Sequence, residues 1–128
     1  ATQLAGEVVV DNYAVIGGGT LVHQFCHIGP HVMVQGGALV NKDIPPFVKA
    51  AREPIAYAGV NSIGLRRREF SSETIREIQE IYRYLYLSGL NNSDAVERIE
   101  AELPATKERD EIILFVRNAK RGIIKGYV

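Results

Sequence analysis

Hydrophobic side chains recur every six residues along the first third of this chain. One column is aliphatic throughout: Leu4, Val10, Ile16, Val22, Ile28, Val34 and Val40. A second column, four residues further on, is small or β-branched: Val8, Ala14, Thr20, Cys26, Val32, Ala38 and Ile44. A period of six fits neither an α-helix nor a simple strand, and it is typical of hexapeptide-repeat solenoids. The pattern predicts a β-helix in which three hexads form one triangular coil around the aliphatic residues.

The repeat also predicts that more coils precede this segment. Seven hexads make only about two and a third coils, whereas a solenoid needs about three or more repeats and a polar cap at each end. No capping pattern stands before Leu4. We therefore expect residue 1 to lie inside a longer β-helix.

The hexad pattern ends at Pro45 and Pro46, which lack backbone donors and force an extended path. This break predicts that residues 1–46 form the C-terminal coils of a β-helix. Residues 47–70 are predicted to form an extended linker, and residues 71–128 a C-terminal helical domain.

Three amphipathic helices are predicted in that last segment, because apolar residues recur there at spacings of three and four. We place them at about 72–87, from about Ser93 to Leu103, and from about 106 to 120. Packed as a small bundle on the open C-terminal end of the β-helix, they would provide the cap that a solenoid requires.

Capping residues set the predicted helix ends. Ser71 or Ser72 is available as the N-cap of the first helix, and Gly89 can stop it. An Asp94 to Glu97 pair resembles a capping box at the start of the second helix.

The composition is that of an ordinary globular domain, with 46% hydrophobic and 23% charged residues among 128. The 15 basic and 15 acidic side chains cancel, which argues against bulk nucleic-acid binding. No apolar run approaches the roughly 18 residues of a membrane span, so no membrane insertion is expected. The single cysteine, Cys26, excludes an internal disulfide and favours a reducing, cytoplasmic location.

The histidines His23, His27 and His31 are four residues apart, a spacing that on a helix would suggest a metal site. In the hexad register they occupy positions two, six and four and point away from different corners. No metal site is therefore expected within one subunit, although a metal shared between subunits stays open. His27 and His31 are expected to be polar residues on the outside of the prism.

Two short motifs could bind anions. The run Gly17-Gly18-Gly19-Thr20 has no lysine in place and no strand-to-helix context, so turn glycines explain it better than a phosphate loop does. The run Arg66-Arg67-Arg68 is more informative, because three adjacent guanidiniums repel one another unless an anion lies opposite. A pyrophosphate-bearing ligand or an acidic partner fits this run, and a solvated basic turn is the alternative.

The stretch from Ile16 to Ser88 resembles the C-terminal part of the bacterial acyl carrier protein–UDP-N-acetylglucosamine O-acyltransferases. The resemblance covers essentially the whole chain and rests on these motifs: Gly17-Gly18, Val22-His23-Gln24-Phe25, His31-Val32-Met33-Val34, Ile44-Pro45-Pro46-Phe47-Val48, Gly59-Val60-Asn61 and Gly64-Leu65-Arg66-Arg67-Arg68-Glu69-Phe70.

This resemblance implies a β plus α fold, a left-handed parallel β-helix followed by a small helical bundle, assembled as a homotrimer with active sites between neighbouring prisms. It implies transfer of a 3-hydroxyacyl group from acyl carrier protein to the 3-hydroxyl of UDP-N-acetylglucosamine, the first step of lipid A synthesis, without a cofactor or metal. The general base of the family is a histidine in an Asn-Ala-His-type hexad. That hexad would lie about one coil before residue 1.

The resemblance assigns binding and supporting roles to residues of this chain. Gly6 matches a glycine whose backbone N–H stabilises the thioester oxyanion. His23 and Gln24 match residues at the nucleotide end of the cleft. Gly36 matches the position whose side-chain size limits acyl length, and a glycine there leaves the groove open.

The linker supplies the remaining family positions. Asn61, Arg67 and Arg68 match residues that reach the uridine diphosphate, in part from the neighbouring subunit. Two positions depart from the family pattern: Glu7 stands where a supporting histidine is usual, and Ile63 where an acid usually meets the ribose. The contacts made at these two positions are left open.

Two other functions are compatible with a hexad prism. A hexapeptide-repeat acyltransferase that acts one stage later, on the glucosamine nitrogen, would share prism and trimer, but the His23-Gln24-Phe25 and Gly59-Val60-Asn61 segments disfavour it. The second is a non-catalytic trimeric scaffold. A histidine-bearing hexad about one coil upstream would discriminate the enzyme from the scaffold.

Overall fold

The computed structural model of the protein describes residues 2–126, so Ala1, Tyr127 and Val128, at the ends of the predicted first and third segments, lie outside the described residues. The N-terminal part is a triangular prism built from two-residue strands: β1 (Gln3–Leu4), β2 (Val9–Val10), β3 (Val15–Ile16), β4 (Leu21–Val22), β5 (His27–Ile28), β6 (Met33–Val34) and β7 (Leu39–Val40).

Successive strands belong to the three faces of the prism in turn. Face A contains β1, β4 and β7, face B contains β2 and β5, and face C contains β3 and β6. All of these pairs are parallel and join residues eighteen apart, such as Leu4 with Val22 and Val10 with Ile28. Three hexads therefore make one coil, as the sequence predicts, and the predicted fold of a left-handed parallel β-helix followed by helices is confirmed.

Both six-residue columns point into the prism, where coils cover one another. Val22 is 2% exposed and Val40 is fully buried, but Leu4, in the same column on the first described coil, is 51% exposed. Cys26, in the second column, is fully buried, and burial raises the pKa of its thiol. The interior is therefore complete only where coils lie on both sides.

The corners of the prism also repeat every six residues. A residue with positive φ stands at each of six successive corners: Glu7, Tyr13, Gly19, Phe25, His31 and Gly37. Only two of the six are glycine, although the left-handed region is unfavourable for other residues. The coil thus holds large side chains in this conformation and directs them outward.

The prism continues beyond the two prolines, contrary to the prediction that it ends there. Ile44 still forms a parallel bridge with Ile28, and strand β8 (Val48–Ala51) pairs in parallel with β6. Pro45 and Pro46 lie at a corner, where a missing N–H breaks no ladder bond. This coil is shorter, joining residues sixteen apart, and that is why the hexad period is lost.

The extended linker predicted for residues 47–70 is instead mostly regular structure. Strand β9 (Ala56–Val60) pairs antiparallel with β8, and helix α1 (Ser62–Arg67) follows it. The structure corrects the secondary structure of this segment, whereas the division of the chain into three units stays a prediction.

The three predicted helices are α2 (Ser72–Leu87), α3 (Asn92–Glu102) and α4 (Lys107–Asn118). Ser71 caps α2 by accepting a bond from the backbone N–H of Thr74. The capping-box prediction for α3 is wrong, because Asn91 caps that helix and accepts from the N–H of Asp94 at 2.8 Å. A short side-chain oxygen immediately before the helix satisfies that N–H directly.

The helical region covers both the end of the prism and one side. The phenol of Tyr82 on α2 donates to the carbonyl of Pro46 at 2.5 Å. A final strand, β10 (Lys125–Gly126), pairs with β9 and is fixed by the Tyr86 hydroxyl, which donates to the carbonyl of Ile124 at 2.8 Å. On α4, Phe115 lies against His27 on face B, with ring centroids 4.7 Å apart. Within residues 2–126 no helix is long and apolar enough to cross a membrane.

Candidate functional site

One group of predicted site residues lies at the first corner of the prism, which follows face A. Gly6 is one coil before His23 and Gln24 there. A Cβ atom added at Gly6 would lie 4.0 Å from the Gln24 side-chain nitrogen. His23 and Gln24 are exposed and line an open pocket together with Leu39. The structure therefore brings three of the assigned residues to one surface.

Arg121 lines the same pocket, a position that sequence reasoning missed. Its guanidinium lies 5.6 Å from the ring centroid of Phe25, close enough for a cation–π contact. The chain returns here after α4, and the Arg121 carbonyl accepts from Lys42 at 2.9 Å. No local sequence signal marks this placement, because it depends on where the segment after α4 docks.

The second group lies at the second corner of the prism, which follows face B. Asn61 is buried, 5% exposed, between the prism and the first turn of α1. Its side-chain amide donates to the carbonyl of His31 at 3.0 Å, and its backbone N–H donates to the carbonyl of Phe47 at 2.7 Å. These bonds fix the start of α1 on the prism.

The arginine run occupies the last turn of α1 and its C-cap, rather than part of an extended linker as predicted. Arg66 and Arg67 are exposed in the last turn, where positive charge stabilises the helix dipole. Within residues 2–126 neither forms an ion pair with a carboxylate. Both guanidiniums are therefore available to an external anion.

Arg68 turns toward the prism. Its Nη1 lies 3.2 Å from Nδ1 of His31, and its guanidinium carbon lies 5.3 Å from the ring centroid of Tyr13. Burial, and secondly the charge of Arg68, lowers the pKa of His31. The neutral imidazole can accept a hydrogen bond at Nδ1 from the Arg68 Nη1–H, so the two side chains form a defined pair.

Gly36 lies at the third corner, which comes after face C. A Cβ atom there would come within 3.0 Å of the Gly18 carbonyl oxygen, and one added at Gly17 would come within 2.4 Å of the Gly36 backbone nitrogen. The adjacent coil thus leaves no room for a side chain at Gly17 and little at Gly36. Gly36 itself is exposed, so a longer side chain would project from the prism.

The predicted site residues consequently do not converge within one chain. Gly6, His23 and Gln24 stand at the first corner, the Asn61 to Arg68 segment at the second and Gly36 at the third. The two positions that depart from the family pattern, Glu7 and Ile63, are both exposed, at the first corner and on α1 respectively.

The histidines are separated in the same way. His27 Nε2 lies 2.7 Å from Asp11 Oδ2, and the His27 backbone N–H donates to Asp43 Oδ1 at 2.8 Å. The sequence placed His27 and His31 on the outside of the prism, but both are half-buried. Phe115 covers His27, and Phe70 covers His31. In the described part of the chain, no three His, Cys, Asp or Glu side chains are grouped to hold a metal ion.

A known protein family shares the sequence of the last coil and the helical region. Residues 43–124 match the family model described as UDP N-acetylglucosamine O-acyltransferase, domain 2. The chain belongs to this family. The match begins at Asp43 in the last coil of the prism and extends through the helical region to Ile124, so it includes α1 with its three arginines.

The relatives match nearly all of this chain but only half of their own length. A protein from Thiobacillus denitrificans named acyl-[acyl-carrier-protein]–UDP-N-acetylglucosamine O-acyltransferase is 41% identical over 96% of this chain and 48% of its own. A crystal structure of a UDP-N-acetylglucosamine acyltransferase from Bacteroides fragilis is 54% identical, with a TM-score of 0.95 over 97% of this chain and 49% of that one. The Francisella novicida acyltransferase gives 35% identity and a TM-score of 0.91 over 97% of this chain and 46% of that one.

Proposed function

We propose that this chain forms the C-terminal half of a longer enzyme that transfers a 3-hydroxyacyl group from acyl carrier protein to the 3-hydroxyl of UDP-N-acetylglucosamine, the first step of lipid A biosynthesis. The observation that carries the proposal is the 41% identity, over 96% of this chain, to a relative named for acyl transfer to UDP-N-acetylglucosamine. No cofactor is needed, because the thioester is already activated toward attack by an alcohol.

The reaction needs a base, a nucleophile and a site for the developing negative charge. A histidine from the upstream coils removes the proton of the sugar hydroxyl, whose oxygen attacks the thioester carbonyl carbon. The backbone N–H of Gly6 stabilises the oxyanion of the tetrahedral intermediate. That intermediate collapses, the carbon–sulfur bond breaks, and the carrier thiol leaves with the proton.

The enzyme is proposed to be a homotrimer. Two faces carry outward apolar side chains that are 43–49% exposed: Leu21 and Leu39 on face A, and Val15 and Met33 on face C. On face B, Phe115 of α4 packs against His27, whereas Val9 is 51% exposed. A subunit with exposed apolar side chains on different faces can close a ring through repeated heterologous contacts, which cover them.

A ring of prisms also explains why the site residues occupy different corners. In the cleft between two prisms, the first corner of one subunit, with His23 and Gln24, can face the second or third corner of its neighbour. We assign the nucleotide end to His23, Gln24, Asn61, Arg67 and Arg68. Arg68 contacts His31 at the second corner, whereas His23 stands at the first, so these arginines would act from the neighbouring subunit.

We assign the end of the acyl groove to Gly36, which is exposed beside the close contact of two coils. The proposed location is the cytoplasm, in keeping with the lone buried thiol of Cys26. The named relatives are O-acyltransferases, which gives no support to an acyltransferase for the glucosamine nitrogen or to a scaffold without activity.

The test is an acyl-transfer assay on the longer polypeptide that contains this chain, with a series of 3-hydroxyacyl carrier proteins as donors and UDP-N-acetylglucosamine as acceptor. Gly36→Met should shift the preference to shorter donors, because each CH₂ forced into water loses about 0.8 kcal/mol. Gly36→Ala, which adds the same Cβ atom beside the Gly18 carbonyl oxygen but no long side chain, is the matched control. No acyl transfer to the sugar nucleotide would refute the proposed function, and an unchanged donor preference in Gly36→Met would refute the assignment of Gly36.

A further inference from the structure

The second corner of the prism carries a ladder of rings that no other corner has among the described residues. Tyr13, His31 and Phe47 occupy equivalent corner positions on successive coils, all with positive φ. Their rings are stacked, with centroids 5.0 Å apart between Tyr13 and His31 and 5.7 Å apart between His31 and Phe47. The Phe70 ring closes the cluster in a T-shaped contact with His31, with centroids 5.0 Å apart. His31 is therefore held rigidly between rings on three sides.

His31 contacts both elements of the linker that are assigned to the nucleotide. Its carbonyl accepts the side-chain amide of Asn61, and its Nδ1 lies within hydrogen-bond distance of Arg68 Nη1. The Tyr13 ring lies beside the same guanidinium. One residue of the prism thus contacts both the start and the end of the helix that follows β9.

We propose that His31, as a neutral imidazole accepting a hydrogen bond from Arg68, is a positioning residue that orients Arg68 toward the diphosphate of the sugar nucleotide. A guanidinium has five N–H donors, so the bond to His31 leaves the others for phosphate oxygens. The inference rests on the proposed function, in which Arg68 belongs to the nucleotide end of the cleft. It adds a residue that touches no substrate and acts through Arg68.

The protonation state of His31 decides whether this contact exists. The titratable and charged groups that face the imidazole are the Arg68 guanidinium and the Tyr13 phenol, and its other ring neighbours, Phe47 and Phe70, carry no charge. Protonated His31 has no acceptor and would repel Arg68. Burial and the charge of Arg68 lower the pKa of His31, so the pair persists at a pH below the ordinary histidine pKa of about 6.5. Its contribution to stability is full above that value and declines as the pH falls below it.

The contact itself can be tested without nucleotide. In the longer polypeptide with labelled histidine, nitrogen NMR should show His31 at neutral pH with its proton on Nε2 and an unprotonated Nδ1. Arg68→Ala should raise the pKa of His31, because it removes a cation. A proton on Nδ1 in the wild type, or a His31 pKa unmoved by Arg68→Ala, would overturn the pair whatever the protein binds.

The positioning role is tested by calorimetric binding of UDP-N-acetylglucosamine, whose diphosphate does not titrate near neutral pH. His31→Phe keeps the stack but removes the acceptor, and phenylalanine already adopts positive φ in this prism at Phe25 and Phe47. We expect nucleotide affinity to fall by about 10- to 150-fold at pH 8, the effect of one hydrogen bond to a charged group. KM for the nucleotide should rise while kcat changes less than about twofold, because binding remote from the reacting atoms is lost.

His31→Asn is the rescuing variant. Asparagine tolerates positive φ, and its side-chain oxygen can take the place of Nδ1 as an acceptor at any pH. Wild-type affinity should fall as the pH drops through the pKa of His31, whereas His31→Asn should bind nearly as well as wild type at pH 8 and lose this dependence. His27→Phe, a histidine on face B away from Arg68, should keep both the affinity and its pH dependence.

The outcomes separate this inference from the function on which it rests. If wild type binds no UDP-N-acetylglucosamine, the proposed function fails, while the NMR result still decides whether the pair forms. If wild type binds and His31→Phe binds equally or more tightly, or His31→Asn is as impaired as His31→Phe, the positioning role is wrong.

Discussion

The prism and the helical region of this chain are stabilised in different ways. In the prism, an interior side chain is covered by its equivalents on adjacent coils, so exposure in one column falls from 51% at Leu4 to 2% at Val22 and 0% at Val40. In the helical region each of the three longer helices is closed by its own N-cap: Ser71, Asn91 and Thr106. The prism therefore depends on its neighbouring coils, and the helices depend on local caps and mutual packing.

This difference locates the sensitive positions of the molecule. A change in the prism acts on the coils above and below it, because they repeat its geometry. A change at a helix end acts on one turn. Matched substitutions in the two regions should therefore change the free energy of unfolding by different amounts. Substitutions in the segment that joins the regions should instead change ligand binding.

The largest effect is expected from the open edge of the prism. The 128-residue chain alone should show no acyl transfer, because the proposed general base lies upstream, and it should associate through the uncovered coil that contains Leu4 and Val10. Sedimentation of the purified chain, beside an acyl-transfer assay with the longer polypeptide as the active control, measures both. Turnover by a monodisperse monomer of this chain would contradict the proposal.

A single methyl group at the close contact of two coils should be the next most damaging change. Gly17→Ala places a carbon 2.4 Å from the backbone nitrogen of Gly36, and we expect destabilisation at the upper end of the range of about 1–3 kcal/mol for overpacking. Gly18→Ala, with open space around it, should cost less than about 0.5 kcal/mol. Gly89→Ala after α2, with open space but φ of +79°, should cost about 1 kcal/mol. Urea denaturation measures the free energy of unfolding of the three variants. An equal loss for Gly17→Ala and Gly18→Ala would show that the coils can separate.

At the junction of the two regions, Arg67→Ala in the longer polypeptide should weaken binding of UDP-N-acetylglucosamine by about 1.5–3 kcal/mol, the range for hydrogen bonds to charged groups. Arg66→Ala removes an exposed charge from the same turn of α1 and serves as the control, with little change expected. Calorimetric titration measures both dissociation constants. An unchanged dissociation constant for Arg67→Ala would remove Arg67 from the site.

The smallest effect is expected at a helix end. Thr106 accepts the backbone N–H of Arg109 at 3.0 Å, and Thr106→Ala should lower the free energy of unfolding by about 1 kcal/mol without changing nucleotide binding. Ser93→Ala, at an exposed position inside α3, should change it by less than about 0.5 kcal/mol. If Thr106→Ala lowers the free energy of unfolding as much as Gly17→Ala does, the proposed difference between the two regions is wrong.

The sequence by itself determined the prism and the three longer helices. The six-residue period places every third hexad in the same surroundings, so interior residues such as Val22 and Cys26 could be assigned from the pattern. The ends of the helices could also be predicted, because amphipathic spacing and capping residues act over a few residues. The α2 prediction of 72–87 is confirmed.

Only the tertiary structure decided what happens where the period is lost and where the chain returns. The shortened last coil, the parallel pairing of β8 and the docking of β10 depend on partners far away in sequence. The same holds for Arg121, which lines one pocket with His23, and for Arg68 against His31, which is 37 residues earlier. Local patterns report which face of a strand or helix is apolar, whereas such contacts are set by how two distant segments pack, and that is why they appear only in the folded chain.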